Sequence, residues 1–156
     1  MAIAQAVENY LRVQELPYDT IEHPKAVSSA HVAEAAHVPG DRVAKSVLLQ
    51  DANGYIVAVL PSTRKLHLGK LRHQFDRMLG LAPEREVMKL FSDCDAGAIP
   101  AVGHAYDLTT VIDDSLLEQP EIYFEAGDHE ALIHMNGRDF RALMADLPHG
   151  HFTYRS

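Results

Sequence analysis

Lys45 sits in Val43-Ala44-Lys45-Ser46-Val47-Leu48-Leu49, a cation at the mouth of an otherwise apolar run. Such a lysine can lay its stem along apolar surface and put the ammonium into a cleft, where it would hold a phosphate or polarise an ester. The plainer reading is an edge lysine that reaches back to water. A second candidate is Gly97-Ala98-Ile99-Pro100-Ala101-Val102-Gly103. Two glycines bracketing a proline make a loop that is locally stiff yet lets a ligand approach its backbone. Free amides in such a loop can bind an oxyanion or orient water without a catalytic side chain. The plainer reading here is a tight connection between two elements.

Other reactive patterns are weaker. There is no Gly-x-x-x-x-Gly-Lys phosphate loop, no Gly-x-Ser-x-Gly elbow and no His-Glu-x-x-His pair. Ten histidines invite a metal reading. His129 and His134, five apart on a segment read as extended, would point to opposite faces, and His149 and His151 share a face without a third ligand. No metal site and no cofactor is expected. Asp113-Asp114 with Ser115-x-x-Glu118 reads as the start of a turn or helix, and the single cysteine, Cys94, as a small buried residue.

Composition bounds what these groups can serve. The chain has 156 residues, 47% apolar and 23% charged, consistent with one globular domain over 1–156 that needs no disulfides. No basic-then-apolar leader opens it and no run approaches the about 18 apolar residues of a membrane span, so no membrane partner and a cytoplasmic location are expected. A net charge of -8 argues against a protein that coats DNA or any nucleic acid indiscriminately. The charge is unevenly placed: Arg64–Lys89 carries a net +4, while Asp93–Glu130 holds ten carboxylates and no Lys or Arg. That basic stretch is either a local face able to meet phosphate or a solvated helix of mixed charge.

The elements that must position these groups follow from pattern. Ile3, Val7, Tyr10 and Leu11 repeat at helical spacing, and Leu16-Pro17 ends that helix. Tyr18–His23 alternates as a short strand, and a second helix starts at Ser28 or Ser29 and stops before Pro39-Gly40. Ser46–Leu49 and Tyr55–Leu60 flank Asp51-Ala52-Asn53-Gly54, a hairpin whose nearly continuous apolar strands belong at the centre of a sheet. Leu66–Leu79 reads as a helix with Leu68, Leu71, Phe75 and Leu79 inward and Lys70, Arg72 and Arg77 elsewhere. Pro83 opens another helix, carrying Val87, Leu90 and Phe91. Strands are expected near 108–112, 121–125 and 131–135, then a helix capped by Asn136 that carries Phe140, Leu143, Met144 and Leu147 and closes at Pro148. This irregular interleaving predicts a mixed α/β (α+β) fold, a mixed sheet covered by helices.

Taken in order, the Ser-Ser-Ala-x-x-Ala-Glu-Ala-Ala helix, Val-Ala-Lys-Ser-Val-Leu-Leu, the apolar hairpin, Gly-Ala-Ile-Pro and the late Phe-Glu-Ala-Gly-Asp-His-Glu strand resemble the YbaK family and the similar editing domain of bacterial prolyl-tRNA synthetases. The resemblance runs from about Tyr18 to Leu147. It implies a curved, barrel-like mixed sheet surrounded by helices and an aminoacyl-tRNA deacylase that hydrolyses a wrong amino acid from charged tRNA, with no side-chain nucleophile, metal or cofactor. It further implies that Lys45 engages the terminal phosphate or adenosine, and that Gly97, Ile99 and Pro100 position the ester through backbone groups. His129 would limit side-chain size, with Gly127, Ala98 and Ala101 beside it as substrate-binding positions. Many relatives have a second proline where this chain has Ala101, and Phe where it has Val102. The expected partner is the acceptor end of aminoacyl-tRNA, held in part by Lys70 and Arg72, with a synthetase as a possible second partner. Two other readings stay open: a catalytically silent tRNA- or synthetase-binding module, and a pocket for a free amino acid or nucleotide.

Overall fold

The computed structural model describes residues 3–25 and 29–155. The elements, in order, are α1 (Gln5–Gln14), β1 (Asp19–Glu22), α2 (Ser29–Ala36), β2 (Val43–Asp51), β3 (Gly54–Pro61), β4 (Arg64–Leu66), α3 (Leu68–Phe75), β5 (Gly80–Leu81), α4 (Glu84–Leu90), β6 (Thr109–Asp113), α5 (Asp114–Leu117), β7 (Glu121–Glu125), β8 (Ala131–Asn136), α6 (Gly137–Leu143), β9 (His149–Gly150) and β10 (Thr153–Arg155). Ser28, one of the two expected helix starts, lies outside the described residues.

An eight-stranded mixed sheet runs β1-β8-β7-β2-β3-β6-β9, with β5 also paired to β2, and β4 with β10 forms a separate two-stranded ribbon. The hairpin β2–β3 is central, as its apolar strands require. Its register is set by a turn in which Asn53 N–H donates to Asp51 Oδ1 (2.8 Å) and Gly54 adopts φ 139°, open to glycine and strained for other residues. Two parallel pairings, β2 with β7 and β3 with β6, make the sheet mixed.

Helices cover the sheet where their apolar stripes face it. Val7 and Leu11 of α1, Val87 of α4 and Phe140 and Leu143 of α6 share a core with Leu48, Val57, Ile122, Phe124 and Ile133. Leu71 of α3 packs with Leu49, Ile56, Val111 and Phe152, while Val32 and Ala33 of α2 pack with Val43, Tyr123 and Leu132. Phe91, Phe124, Phe140 and Phe152 are fully buried, each contributing about 1.5–3 kcal/mol of apolar burial. Asn136 caps α6 by accepting from Asp139 N–H (2.8 Å), and Asp113 caps α5 and also accepts from Phe152 N–H (3.0 Å). No described helix is long and apolar enough to cross a membrane.

Two expectations are revised. The helix read over 66–79 is confined to Leu68–Phe75: Asp76 turns left-handed (φ 51°), Arg77 N–H closes the end on Arg72 C=O, and Leu66 belongs to a strand paired with Thr153. Leu66 and Leu79 still point inward, which is why their spacing imitated a longer helix. The short strands β9 and β10 carry no apolar alternation and were not anticipated.

Candidate active site

Strand β2 builds the site through what it leaves unpaired. Along one edge it pairs with β3 from Ala44 to Asp51. Along the other it meets β7 at Val43 and Ala44 and β5 at Leu49 and Gln50. Between those two partners the edge from Lys45 to Val47 has no strand neighbour among the described residues. Val43 C=O accepts from Ser62 on the β3 side, and Leu48 C=O accepts from Ala82 on the opposite side. Alternation along the strand therefore aims the backbone N–H and C=O of Ser46 into the gap.

A cavity of about 240 Å³ occupies this gap, lined by the five residues Ala44–Leu48 on one side and by Gly97, Ile99, Glu84, Val87 and Glu125 among the others. Lys45 is half-buried and has no hydrogen-bond or ion-pair partner among the described residues. Burial, and then the neighbouring ammonium of Lys65 on β4, lowers its pKa. Two cations brought together with no counter-ion favour an arriving anion.

The Gly97–Gly103 loop forms the facing wall and is bolted at several points. Ser46 Oγ donates to Pro100 C=O (2.8 Å), Ala98 N–H to Asp95 C=O (3.0 Å), and Asp95 N–H to Gly127 C=O (2.7 Å). Ala98, Ala101 and Val102 are buried, Ala101 and Val102 within the main core, so the loop turns Gly97 and Ile99 toward the cavity. Gly103 fits where it does for lack of a side chain: a Cβ there would come within 2.6 Å of Thr110 Oγ1 and 2.8 Å of a Val57 methyl.

The remaining expected positions stand elsewhere. His129 is 5% exposed, sits at φ 62° and donates from Nε2 to Ala96 C=O, so it braces the loop from behind. Gly127, at φ 112°, packs where a Cβ would lie 3.1 Å from that of Ala4. Ala98, Pro100, Ala101, Gly127 and His129 thus lie behind a wall whose inner face is Gly97 and Ile99, with Lys45 across the cavity. Lys70 lines a separate open groove on α3 with His67, His73 and His151, and Arg72 gives its Nε–H to Leu79 C=O (2.8 Å). Cys94 is buried, with a thiol pushed up to about 12 by desolvation, and does not line the cavity.

The residue that the sequence reading passed over is Glu125, the last of β7. It is 5% exposed, lines the cavity, and neither carboxyl oxygen has a hydrogen-bond partner among the described residues. Burial, followed by the nearby Asp128 carboxylate, pushes its pKa up to about 8; the His129 backbone amide draws it back a little without reaching hydrogen-bond geometry. A carboxylate inside the apolar run Ile122-Tyr123-Phe124-Glu125-Ala126 was the signal available in the sequence.

Comparison with known proteins decides the family. The profile of the aminoacyl-tRNA editing domain matches residues 23–143. This chain belongs to the aminoacyl-tRNA editing domain family. It is 35% identical over 78 residues to a proline–tRNA ligase of Pseudothermotoga lettingae, a stretch covering 49% of this chain and 14% of the ligase, so the chain spans only a small part of that relative. Among solved structures it resembles a candidate trans-editing enzyme for prolyl-tRNA synthetase (TM-score 0.82, 23% identity, 97% of this chain and 96% of that one). It also resembles part of a candidate signal-transduction protein from Marinobacter aquaeolei VT8 (TM-score 0.75, 23% identity, 95% of this chain and 30% of that one). At these identities the solved structures establish a shared fold, the mixed sheet with covering helices described above.

Proposed function

We propose that this editing domain acts in trans as an aminoacyl-tRNA deacylase, with the charged 3′ end of tRNA entering the gap beside β2. The observation that carries this reading is the cavity itself, in which an unpartnered ammonium, an open stretch of strand backbone and a bolted glycine loop converge. Lys45 meets a phosphate of the terminal nucleotide, and Lys65 behind it strengthens the local positive field. The backbone at Gly97 and Ile99, with Ser46 N–H opposite, holds the ester in one orientation. Water is the nucleophile, oriented by the substrate's own ribose hydroxyl. Positioning by fixed amides and a cation can account for a large part of an ester-hydrolysis barrier, so no side-chain nucleophile is needed. Ser46 Oγ, which lies against this wall, is committed to Pro100.

The likeness to a proline–tRNA ligase and to a candidate trans-editing enzyme for prolyl-tRNA synthetase makes tRNA charged by prolyl-tRNA synthetase the first substrate class to try. Lys70, which lines the open groove on α3, is proposed to meet the acceptor stem. The test is a deacylation panel that includes proline-specific tRNA carrying amino acids other than proline. Loss of at least one ester well above the buffer rate is expected. Binding of tRNA with no ester loss across the panel would instead identify a silent binding module.

A further inference from the structure

Glu125 is conspicuous because its burial is uncompensated. A carboxyl with no hydrogen-bond partner is costly inside a protein, and the cost is tolerated where a ligand supplies the missing partner. Position supports this. In the parallel pairing of β2 with β7, Val43 lies opposite Tyr123 and Ala44 opposite Phe124. One register step further, Lys45 and Glu125 fall on the same face of adjacent strands, and both line the cavity. No ion pair joins them among the described residues. The site thus presents one ammonium and one carboxyl, each available to a ligand.

An aminoacyl ester of a nucleotide carries the complementary pair. Its phosphodiester is anionic, and its α-ammonium lies two bonds from the ester carbonyl. The other carboxylate lining the cavity, Glu84 of α4, is exposed at the rim. Most of the remaining lining is apolar. We propose that Glu125 is the receptor for the α-ammonium group of the aminoacyl ester, so that the site selects substrates with a free α-amine. This rests on the deacylase reading and adds to it a residue and a selectivity.

The groups facing Glu125 define how the proton moves. Lys45 of β2 and Glu84 of α4 line the same cavity, and Asp128 and the His129 amide act on Glu125 from the turn after β7. With the cavity empty, burial keeps the carboxyl largely protonated at pH 7. An α-ammonium, with an ordinary pKa of about 7.7–8.0, arrives already charged. Pairing the two leaves the ammonium intact and ionises the carboxyl, so one proton passes from Glu125 to solvent for each ligand bound.

The experiment uses 3′-alanylamino-3′-deoxyadenosine, whose amide resists hydrolysis, beside its N-acetyl derivative. Binding is measured by calorimetry at pH 7 in buffers of different ionisation enthalpy. Wild-type protein is expected to bind the free amine at least about 10-fold more tightly, one ionic hydrogen bond's worth, and to release close to one proton. Glu125→Gln should bind both compounds alike and release none, while keeping wild-type affinity for the acetylated one. Equal wild-type affinity for the two compounds, no measurable binding of either, or a preference that survives Glu125→Gln would each overturn the assignment. Should Glu125→Gln fail to fold, the wild-type preference and proton count decide alone. Active deacylation without an amine preference would defeat this inference and leave the deacylase intact. An amine preference without deacylation of any ester would do the reverse.

Discussion

Two regions of this chain concentrate charge against apolar surroundings, and the fold treats them in opposite ways. In the stretch from Arg64 to Lys89, the arginines are largely spent on the protein itself. Arg64 holds Thr153 through its side chain and backbone (2.6 and 3.3 Å), Arg72 holds Leu79 C=O, and Arg77 grips both oxygens of Asp51 at 2.7 Å. In the gap beside β2, Lys45 and Glu125 are more buried than most charged residues, yet the side chain of neither has a hydrogen-bond or ion-pair partner among the described residues. The number of charges in a segment is therefore a poor guide to which charges the fold leaves open. What distinguishes the site is polarity held without internal satisfaction.

The sharpest way to break this contrast is at Lys45. Lys45→Ala should lower deacylation by about 100-fold or more, the scale of misplacing the reacting ester once its phosphate anchor is lost, with no loss of thermal stability. Single-turnover deacylation beside a melting curve checks both halves. Wild-type turnover would remove Lys45 from the mechanism.

Glu125 should show the opposite sign in stability. A carboxyl whose folded pKa lies near 8 against an ordinary 4.5 favours the fold fully below pH 4.5, and that support drains away as pH rises through about 8. Glu125→Gln should therefore be more stable than wild type at pH 8, by on the order of 4 kcal/mol, with the difference shrinking toward pH 4.5. Urea titrations at several pH values measure this; parallel curves would mean the carboxyl is not desolvated as described.

The arginine region should respond structurally. Arg72→Ala is expected to lose about 1–2 kcal/mol of stability, the value of a hydrogen bond from a charged donor, with kcat unchanged. Arg77→Ala should lower Tm at pH 7. Because Arg77 holds the Asp51 carboxyl down at about 2, that penalty should fade as pH falls through about 2. A fall in kcat with either variant would erase the distinction between the two regions. The smallest effect belongs to Lys70→Glu, a few-fold rise in KM at low salt that vanishes at high salt. A KM insensitive to salt would take α3 out of tRNA contact.

Much of the frame was legible because local chemistry set it. Asn53-Gly54 fixed the hairpin, continuous apolar runs placed β2 and β3 centrally, and Asn136 marked the start of α6. Lys45 was legible as a cation on a buried strand, and Gly97–Gly103 as a tight loop, although most of that loop is buried. The gap was not, because it arises from where β7 leaves β2 and where β5 joins it, and those pairings link residues some 30 and 80 positions apart. For the same reason Glu125 drew no functional reading, and His129 looked like a pocket residue when it braces the loop through Ala96.

The break in pairing along β2 has a further consequence for self-association. An unpaired strand edge is ordinarily a template on which another chain can lay a strand. Here only Lys45–Val47 are open, about 10 Å of edge, stopped at one end by β7 and at the other by β5. That is shorter than a typical strand and recessed inside the molecule. Backbone donors stay accessible to a small ligand while the same edge offers a neighbouring protein nothing long enough to aggregate upon.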